Sequence, residues 1–202
     1  MNLKSFVIVL GTISSVIGAT QAWAAGAARI RGTVVSLIGS TLTVKDGNGK
    51  TDAIALADGW RISGVAKASA ADIKRGDFLG IASISKADGG SGALEVVIFP
   101  AALQGTGEGD RDWDLQPNSR MTNGTVADVT EIEGRTVTLT YDYGQKKQIA
   151  IPQTTPIVTF ASATPADLTP GVAVFVNAER GGDGKLVANR VVVGNHGVAP
   201  PM

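Results

Sequence analysis

An internal repeat constrains this chain more than any other feature. The triplet Gly32-Thr33-Val34 returns as Gly124-Thr125-Val126, an offset of 92 residues, and residues 41–44 return as 136–139, an offset of 95. The offset then stays at 95 to the end of the second copy, because the extra residues fall in one turn near residue 130. A constant offset over this length is hard to obtain by chance, so we infer that the chain holds two copies of one unit.

Each copy has the residue pattern of a small β-barrel. Leu42 and Val44 alternate with threonine and lysine, which is the period of a half-buried strand. The Asp-Gly-Asn-Gly run at 46–49 favours a hairpin turn, because these residues accept positive φ. A serine or threonine opens residues 69–73 and 164–168, which predicts one capped helical turn in each copy. Three strands, a helical turn and two strands is the element order of an OB-type barrel, although other small closed barrels share much of it.

We therefore predict an all-β chain of two tandem small OB-like β-barrels, each with one short helical turn, after a cleaved signal peptide. The predicted segments are a signal peptide at 1–24, a first barrel at 25–103, an acidic Gly-rich connector at 104–122, a second barrel at 123–194 and a flexible tail at 195–202.

The first 24 residues have the pattern of a bacterial secretory signal peptide. Lys4 supplies the positive charge, residues 6–18 supply a short apolar run, and Ala22-Trp23-Ala24 supplies a small-x-small cleavage site. An uncleaved N-terminal anchor is the alternative, but glycine and serine interrupt the run and it is short for a membrane span. No later stretch approaches spanning length, so we predict a mature protein without a membrane span, located in the periplasm or secreted.

Composition narrows the possible partners. The full chain has 18 basic and 18 acidic residues, and loss of Lys4 with the leader leaves a net charge of 17 minus 18, or −1. A nearly neutral chain has no general attraction for nucleic acid, so no nucleic-acid partner is expected. The chain also has no cysteine, so an apolar core and not disulfides must hold each barrel.

The run Gly-Thr-Val, Thr-Leu-Thr-Val and Ala-Asp-Ile-Lys-Arg-Gly-Asp, followed by a strand near residues 94–96, resembles the bacterial domain-of-unknown-function family numbered 5666. The second copy carries the same marks as Ala-Asp-Leu-Thr-Pro-Gly and Ala-Asn-Arg-Val. The resemblance covers nearly all of the mature chain. It implies a small exported β-barrel protein of undefined activity, and it brings no catalytic residues.

The connector holds the candidate metal site. Asp110, Asp112 and Asp114 alternate around Arg111 and Trp113, and alternating acids on a loop can direct several oxygens at one hard cation such as calcium. The match to an EF-hand loop fails after the first three ligands. The alternative is a solvated acidic loop, partly neutralised by Arg111, with Trp113 packed into a groove between the barrels.

Tryptophans supply the candidate contact residues. Trp60 and Trp113 are predicted to contact a ligand or partner, since exposed rings on such barrels stack against sugars or bases. The alternative for Trp60 is a half-buried strand residue. We expect no catalytic residue, because the chain has no cysteine nucleophile and its one histidine, His196, lies in the predicted tail.

These patterns predict a non-enzymatic exported binding or interaction module without a bound cofactor. Its partner would be an envelope protein or a glycan. The alternatives are a calcium- or metal-binding accessory protein that uses the acidic connector, and a carbohydrate-binding module that uses a tryptophan.

Overall fold

The structure is a computed structural model that describes residues 26–87, 89–130, 135–195 and 197–201. The predicted signal peptide and His196 lie outside these residues. Among the residues described, none of the helices is long and apolar enough to cross a membrane.

The described chain is all-β, as predicted. Its strands are β1 (Gly26–Ile38), β2 (Thr41–Lys45), β3 (Thr51–Lys67), β4 (Phe78–Ser85), β5 (Ser91–Phe99), β6 (Gly109–Asp112), β7 (Arg120–Thr130), β8 (Arg135–Tyr141), β9 (Gln145–Ile151), β10 (Ile157–Ala161), β11 (Ala173–Arg180) and β12 (Leu186–Gly194). The 3-10 helices, each a single turn, are η1 (Ala70–Asp72), η2 (Ala101–Leu103) and η3 (Pro165–Asp167).

The predicted helical turns are confirmed as η1 and η3. In η1 the Asp72 carboxylate accepts hydrogen bonds from the backbone N–H of Ser69 at 2.7 Å and from its hydroxyl at 2.8 Å. In η3 Asp167 accepts the same two bonds from Thr164, at 2.6 and 3.1 Å. Each short turn is therefore closed by a local polar bond that satisfies a free N–H at its start.

Five strands close into a β-barrel that we call the first ring. β1 pairs with β2 and β11, β3 pairs with β2 and β12, and β11 pairs with β12. Of these pairs, β3–β12 is parallel and the others are antiparallel. Closure leaves few unpaired strand edges, which protects a small sheet from pairing with other chains.

The second ring is built from β4, β5, β7, β8 and β9. β7 pairs with β4 and β8, β8 pairs with β9, and β4 pairs with β5. The ring closes through a short parallel contact in which Ser91 and Gly92 of β5 face Ile149 and Ala150 of β9. β10 joins the rings, since it pairs with β3 on one side and with β5 on the other.

The rings do not follow the tandem arrangement that we predicted. The first ring takes β1–β3 from the first half of the chain and β11–β12 from the second half, while the second ring takes β7–β9 from the second half and β4–β5 from the first. The predicted bounds 25–103 and 123–194 therefore do not enclose one ring each, and the strands belong to one hydrogen-bonded sheet. The sequence does not show which strands pair with each other. The same two-stranded hairpin can close either ring without a change in its own residue pattern.

Equivalent positions in the two halves show the same irregularities. The register shifts after Val34 in β1 and after Val126 in β7, which are 92 residues apart. A Cβ atom on Gly32 would collide with the carbonyl oxygen of Lys45, and one on Gly124 would lie 2.7 Å from the carbonyl oxygen of Thr140. Glycine is required at both places because the neighbouring strand passes too close for a side chain.

Three apolar clusters hold the fold. The inside of the first ring buries residues of both halves, among them Leu42, Ile54 and Val176, and the inside of the second ring does the same with residues such as Ile81 and Leu139. Full burial of each such side chain contributes about 1.5–3 kcal/mol. The third cluster, which we call the contact layer, lies on the outer faces where the rings meet; it comprises Val65, Val97, Val158, Phe175 and Val192.

The predicted flexible tail is packed over its described part. The N–H of Asn195 donates to the carbonyl of Val65 at 3.0 Å, and the N–H of Val198 donates to the carbonyl of Asn195 at 3.1 Å. Val198 packs against the contact layer and Pro201 is buried. Burial of these apolar side chains stabilises the packed arrangement, and the mobility of the tail stays a prediction.

Candidate ligand pocket between the rings

The predicted connector contains a strand and folds as a hairpin. β6 pairs antiparallel with the start of β7, so that Gly109 faces Asn123 and Asp112 faces Arg120. We call residues 109–123 the connector hairpin. Its turn is fixed by Ser119, which is buried and whose hydroxyl lies 3.0 Å from the carbonyl oxygen of Trp113.

One face of β6 carries carboxylates that bind cationic side chains. Asp110 accepts hydrogen bonds from Arg120 Nε at 2.8 Å, from Lys147 Nζ at 2.9 Å and from Thr122 Oγ1 at 2.7 Å. Asp112 accepts one from Arg120 Nη1 at 2.6 Å. Burial acts to raise the pKa of Asp110, but the bonds from Thr122, Lys147 and Arg120 together hold that pKa below its ordinary value.

Asp114 lies apart from this network, against β1. It accepts a hydrogen bond from Arg31 Nη2 at 2.8 Å and forms an ion pair with Arg29 at 3.5 Å. Burial would raise the pKa of Asp114, but the bond from Arg31 and the charges of both arginines lower it.

The predicted calcium ligation by Asp110, Asp112 and Asp114 does not fit this arrangement. Within the described ranges, no group of three histidine, cysteine or acidic side chains is placed to hold a metal ion. The alternation that we interpreted as a ligand loop is the period of a strand, which places Asp110 and Asp112 on one face and Arg111 on the other.

Trp113 lies among three arginines. The guanidinium carbon of Arg29 is 4.0 Å from the ring centroid, and those of Arg31 and Arg111 are each 5.8 Å away. Arg31 also lies 5.2 Å from the ring centroid of Phe175. These distances are within the range of cation–π attraction. The contacts between the arginine side chains and the aromatic side chains therefore hold the connector hairpin against the first ring.

A cavity of about 170 Å³ lies beside Trp113, and we call it the junction pocket. It is formed by the connector hairpin, by β4 and β5 of the second ring, by β10, and by β11 and β12 of the first ring. Its walls include four aromatic rings and two guanidinium groups, from Phe99, Trp113, Phe160, Phe175, Arg111 and Arg190.

Two polar atoms of the pocket residues have no hydrogen-bond partner in the part of the chain that the structure describes. Asn123 is only 5% exposed and its Nδ2 donates to the carbonyl of Thr106 at 3.0 Å. Its Oδ1 is buried without a partner among the described residues, and so is Nε1 of Trp113. Such atoms are rare, because burial without a hydrogen bond costs about 1–3 kcal/mol. Both atoms belong to side chains that line the pocket, so a bound molecule that reached them would complete their bonding.

The two pocket arginines lack a carboxylate partner within the described part of the chain. Nη1 of Arg111 donates to the carbonyl of Gly107 at 2.7 Å, and neither Arg111 nor Arg190 forms an ion pair there. Burial lowers the pKa of Arg111, and the charge of Arg29 lowers it further. The pocket therefore combines aromatic walls with uncompensated positive charge.

A larger open groove of about 1270 Å³ lies elsewhere, along β9 and the described part of the tail. Lys67, Lys86, Glu95 and Arg135 line it, and Glu95 is 6% exposed. This groove mixes both signs of charge and is much larger than the junction pocket, so its lining does not favour one ligand class.

The structure separates the two predicted contact residues. Trp113 lines the junction pocket, whereas Trp60 lies in β3, is half-buried against the core of the first ring and does not line that pocket. Sequence reasoning missed Asn123 and Arg190, because only the pairing of distant strands brings them to the same cavity. The alternation Asp-Arg-Asp-Trp could have indicated β6, and hence that Arg111 and Asp110 point to opposite sides.

Comparison of the chain with protein families, curated proteins and solved structures found no match. The resemblance to family 5666 therefore stays a prediction, and the site is interpreted from its own geometry.

Proposed function

We propose that this chain is an exported, non-enzymatic binding protein whose ligand site is the junction pocket. The observation that carries the proposal is a preformed cavity between the rings that is lined by Asn123 and Trp113, whose buried Oδ1 and Nε1 atoms lack partners among the described residues. Binding sites of this kind combine apolar walls with a few polar groups that orient the ligand. A ligand with one acceptor and one donor would satisfy both atoms.

The proposed architecture is a duplicated OB-like unit whose copies have exchanged their last two strands. Register shifts at equivalent positions and the paired glycines Gly32 and Gly124 support duplication. A closed five-stranded barrel with a short helical turn after its third strand supports the OB-like assignment. Export is supported by the pattern of residues 1–24, and the periplasm or the medium is the expected location.

The alternatives have weaker support. A carbohydrate module would need an open ring face, but Arg29 lies 4.0 Å from the centroid of Trp113 and Trp60 is half-buried. A calcium-binding role would need Asp110 and Asp114 to leave their cationic partners. An envelope protein as partner has no specific contact surface to favour it among the described residues.

Fluorescence of a single tryptophan tests the proposal. A chain that begins at residue 25 and carries Trp60→Phe has Trp113 as its only tryptophan. Titration with a panel of small aromatic, aliphatic and sugar ligands should change its emission in a saturable way with at least one ligand class.

The matched control is Trp113→Phe, in which Trp60 is the only reporter. Its emission should stay constant during the same titration, because Trp60 packs against the core of the first ring and does not line the pocket. If no ligand class changes the emission of Trp113, or if Trp60 responds equally, the junction pocket is not the ligand site.

A further inference from the structure

We infer that the junction pocket binds a small aromatic carboxylate that carries a hydrogen-bond donor on its ring, such as a hydroxyl group. This inference rests on the proposed function and names the ligand class of the same site. It follows from the volume of the pocket, from the charge around it and from its unpartnered polar atoms.

The volume of the junction pocket accommodates about one aromatic ring. An apolar cavity of about 150 Å³ in another protein accepts benzene, and the junction pocket measures about 170 Å³. The space therefore suits one six-membered ring with small substituents, and a larger ligand would extend out of the pocket. Phe99, Phe160 and Phe175 offer the edges and faces against which a flat ring packs well.

Charge around the pocket favours an anion. Arg29, Arg31, Arg111 and Arg190 all lie at the pocket or within reach of Trp113. Asp114 pairs with Arg29 and Arg31, whereas Arg111 and Arg190 form no ion pair with a described residue. Asp110 is close enough to influence Arg111, but its own oxygens already accept bonds from Arg120 and Lys147. The net charge of the side chains around Trp113 is therefore positive.

Strand register explains why the positive charges share one face. Arg29 of β1 faces Asn177 of β11, and Asn177 faces Arg190 of β12. Residues directly opposite in a sheet point to the same side, so Arg29 and Arg190 lie in one row on the outer face of the first ring. A carboxylate bound here would accept charge-assisted bonds, which are about twice as strong as neutral ones.

The unpartnered atoms define the polar groups of the ligand. Trp113 Nε1 is a donor and Asn123 Oδ1 is an acceptor. An aromatic carboxylate satisfies the indole N–H with an oxygen, and a ring hydroxyl satisfies the amide oxygen. A neutral aromatic molecule would leave Arg111 and Arg190 without a carboxylate partner among the described residues, and an aliphatic acid would lose the contacts with the aromatic side chains.

The test uses the Trp60→Phe chain and three probes: 4-hydroxybenzoate, its neutral isostere 4-hydroxybenzamide, and hexanoate. The hydroxybenzoate should bind about tenfold or more tightly than either of the others, as expected for a hydrogen bond to a charged group. A rise in NaCl from about 20 mM to about 200 mM should weaken its binding and leave that of the amide unchanged.

Arginine variants locate the charge effect. Arg190→Gln should weaken hydroxybenzoate binding about tenfold and bring it close to that of the amide. Arg61→Gln is the matched control, because Arg61 faces Arg190 across the β3–β12 pair but does not line the pocket. Melting temperatures of both variants show whether they are folded.

Two outcomes separate the inference from the proposed function. If acid and amide bind equally and Arg190→Gln changes neither, the inference is overturned and the pocket remains a ligand site. If no probe and no other member of the panel affects Trp113, the proposed function fails together with the inference.

Discussion

The two rings carry the same class of residue inside and different classes on the faces that meet. Positions related by the repeat offset are apolar and buried in both interiors, as in Val44 and Leu139 or Val96 and Val191. On the outer faces the equivalents diverge: Glu95 corresponds to Arg190, and Gly80 corresponds to Phe175. A shared interior is enough to build both rings, whereas the junction pocket exists because the outer faces differ.

A second difference concerns the two strands that begin the rings. Residues 120–123 of β7 pair with β4 on one edge and with β6 on the other. The equivalent residues of β1, 28–31, pair with β11 on one edge, and no described strand covers the other. The connector hairpin is therefore an addition to one ring only, and it supplies Arg111 and Trp113 to the pocket.

The largest expected effect comes from division of the chain. A fragment of residues 25–103 lacks β11 and β12, which close the first ring in the full chain. Alone it could close a barrel only with its own β4–β5 hairpin, so we expect it to be much less stable than the full chain. An equal mixture with residues 104–202 should restore the native β signal and migrate as a one-to-one complex. Circular dichroism and light scattering after gel filtration measure both. A fragment as stable as the full chain, which does not bind residues 104–202, would contradict a preference for the exchanged pairing.

Glycine substitution compares the two rings at one equivalent position. Gly32→Ala should destabilise the fold by about 3 kcal/mol, because the new Cβ would collide with the carbonyl of Lys45. Gly124→Ala should cost about 1–2 kcal/mol, since its Cβ would lie farther from the carbonyl of Thr140, at 2.7 Å. Urea unfolding measures both values.

The control for these substitutions is Gly26→Ala. Gly26 lies on the same strand as Gly32, but no atom comes within 4 Å of the place that an added methyl group would occupy, so this substitution should change little. Equal losses for Gly26→Ala and Gly32→Ala would show that strand contact is not the reason for the glycine.

Substitution of Asp110 measures how much the connector hairpin contributes to the stability of the second ring. Asp110→Asn should cost about 1–2 kcal/mol, because three donors lose a charged acceptor. Asp112→Asn is the control and should change little, since its side chain is 97% exposed.

The pH dependence of stability should show the direction in which Asp110 contributes. Asp110 has a lower pKa in the folded chain than its ordinary value, so its stabilisation is present above about pH 4 and is lost as the pH falls through the folded-state pKa. Asp110→Asn should therefore flatten the acid limb of the stability profile. An unchanged acid limb would mean that the ion pairs contribute nothing.

The smallest effect concerns η1 and η3. Ser69→Ala and Thr164→Ala each remove one hydroxyl bond to Asp72 or Asp167, so each should lower the melting temperature by about 2 °C. Calorimetry should find the two losses equal. A clear inequality would show that the two turns are not equivalent supports.

Local structure could be predicted from the sequence because its causes are local. The alternation of Leu42 and Val44, the Asp-Gly turn at 46–49 and the capped turns at Ser69 and Thr164 all correspond to elements of the structure. Each depends on residues within one turn or one strand period, so no distant contact could change it.

Strand exchange and the pocket could not be predicted in the same way. Which hairpin closes which ring depends on pairing between β3 and β12, whose residues are far apart in the chain. Arg111 and Arg190 meet at one cavity only as a result of that pairing. The acids of the connector were interpreted as ligands because the arginines and the lysine that bind them come from other strands.

The exchanged strands also determine when the chain can finish folding. Ile54 of β3 can pair with Leu186 of β12 only after Leu186 has been synthesised, and neither ring is complete until both halves of the chain are present. Contacts between such distant residues form slowly, because closing a long loop costs conformational entropy before the contacts can stabilise the chain. A polypeptide that emerges from its N-terminus first therefore lacks the strands that close its first ring until residues 173–194 have been synthesised.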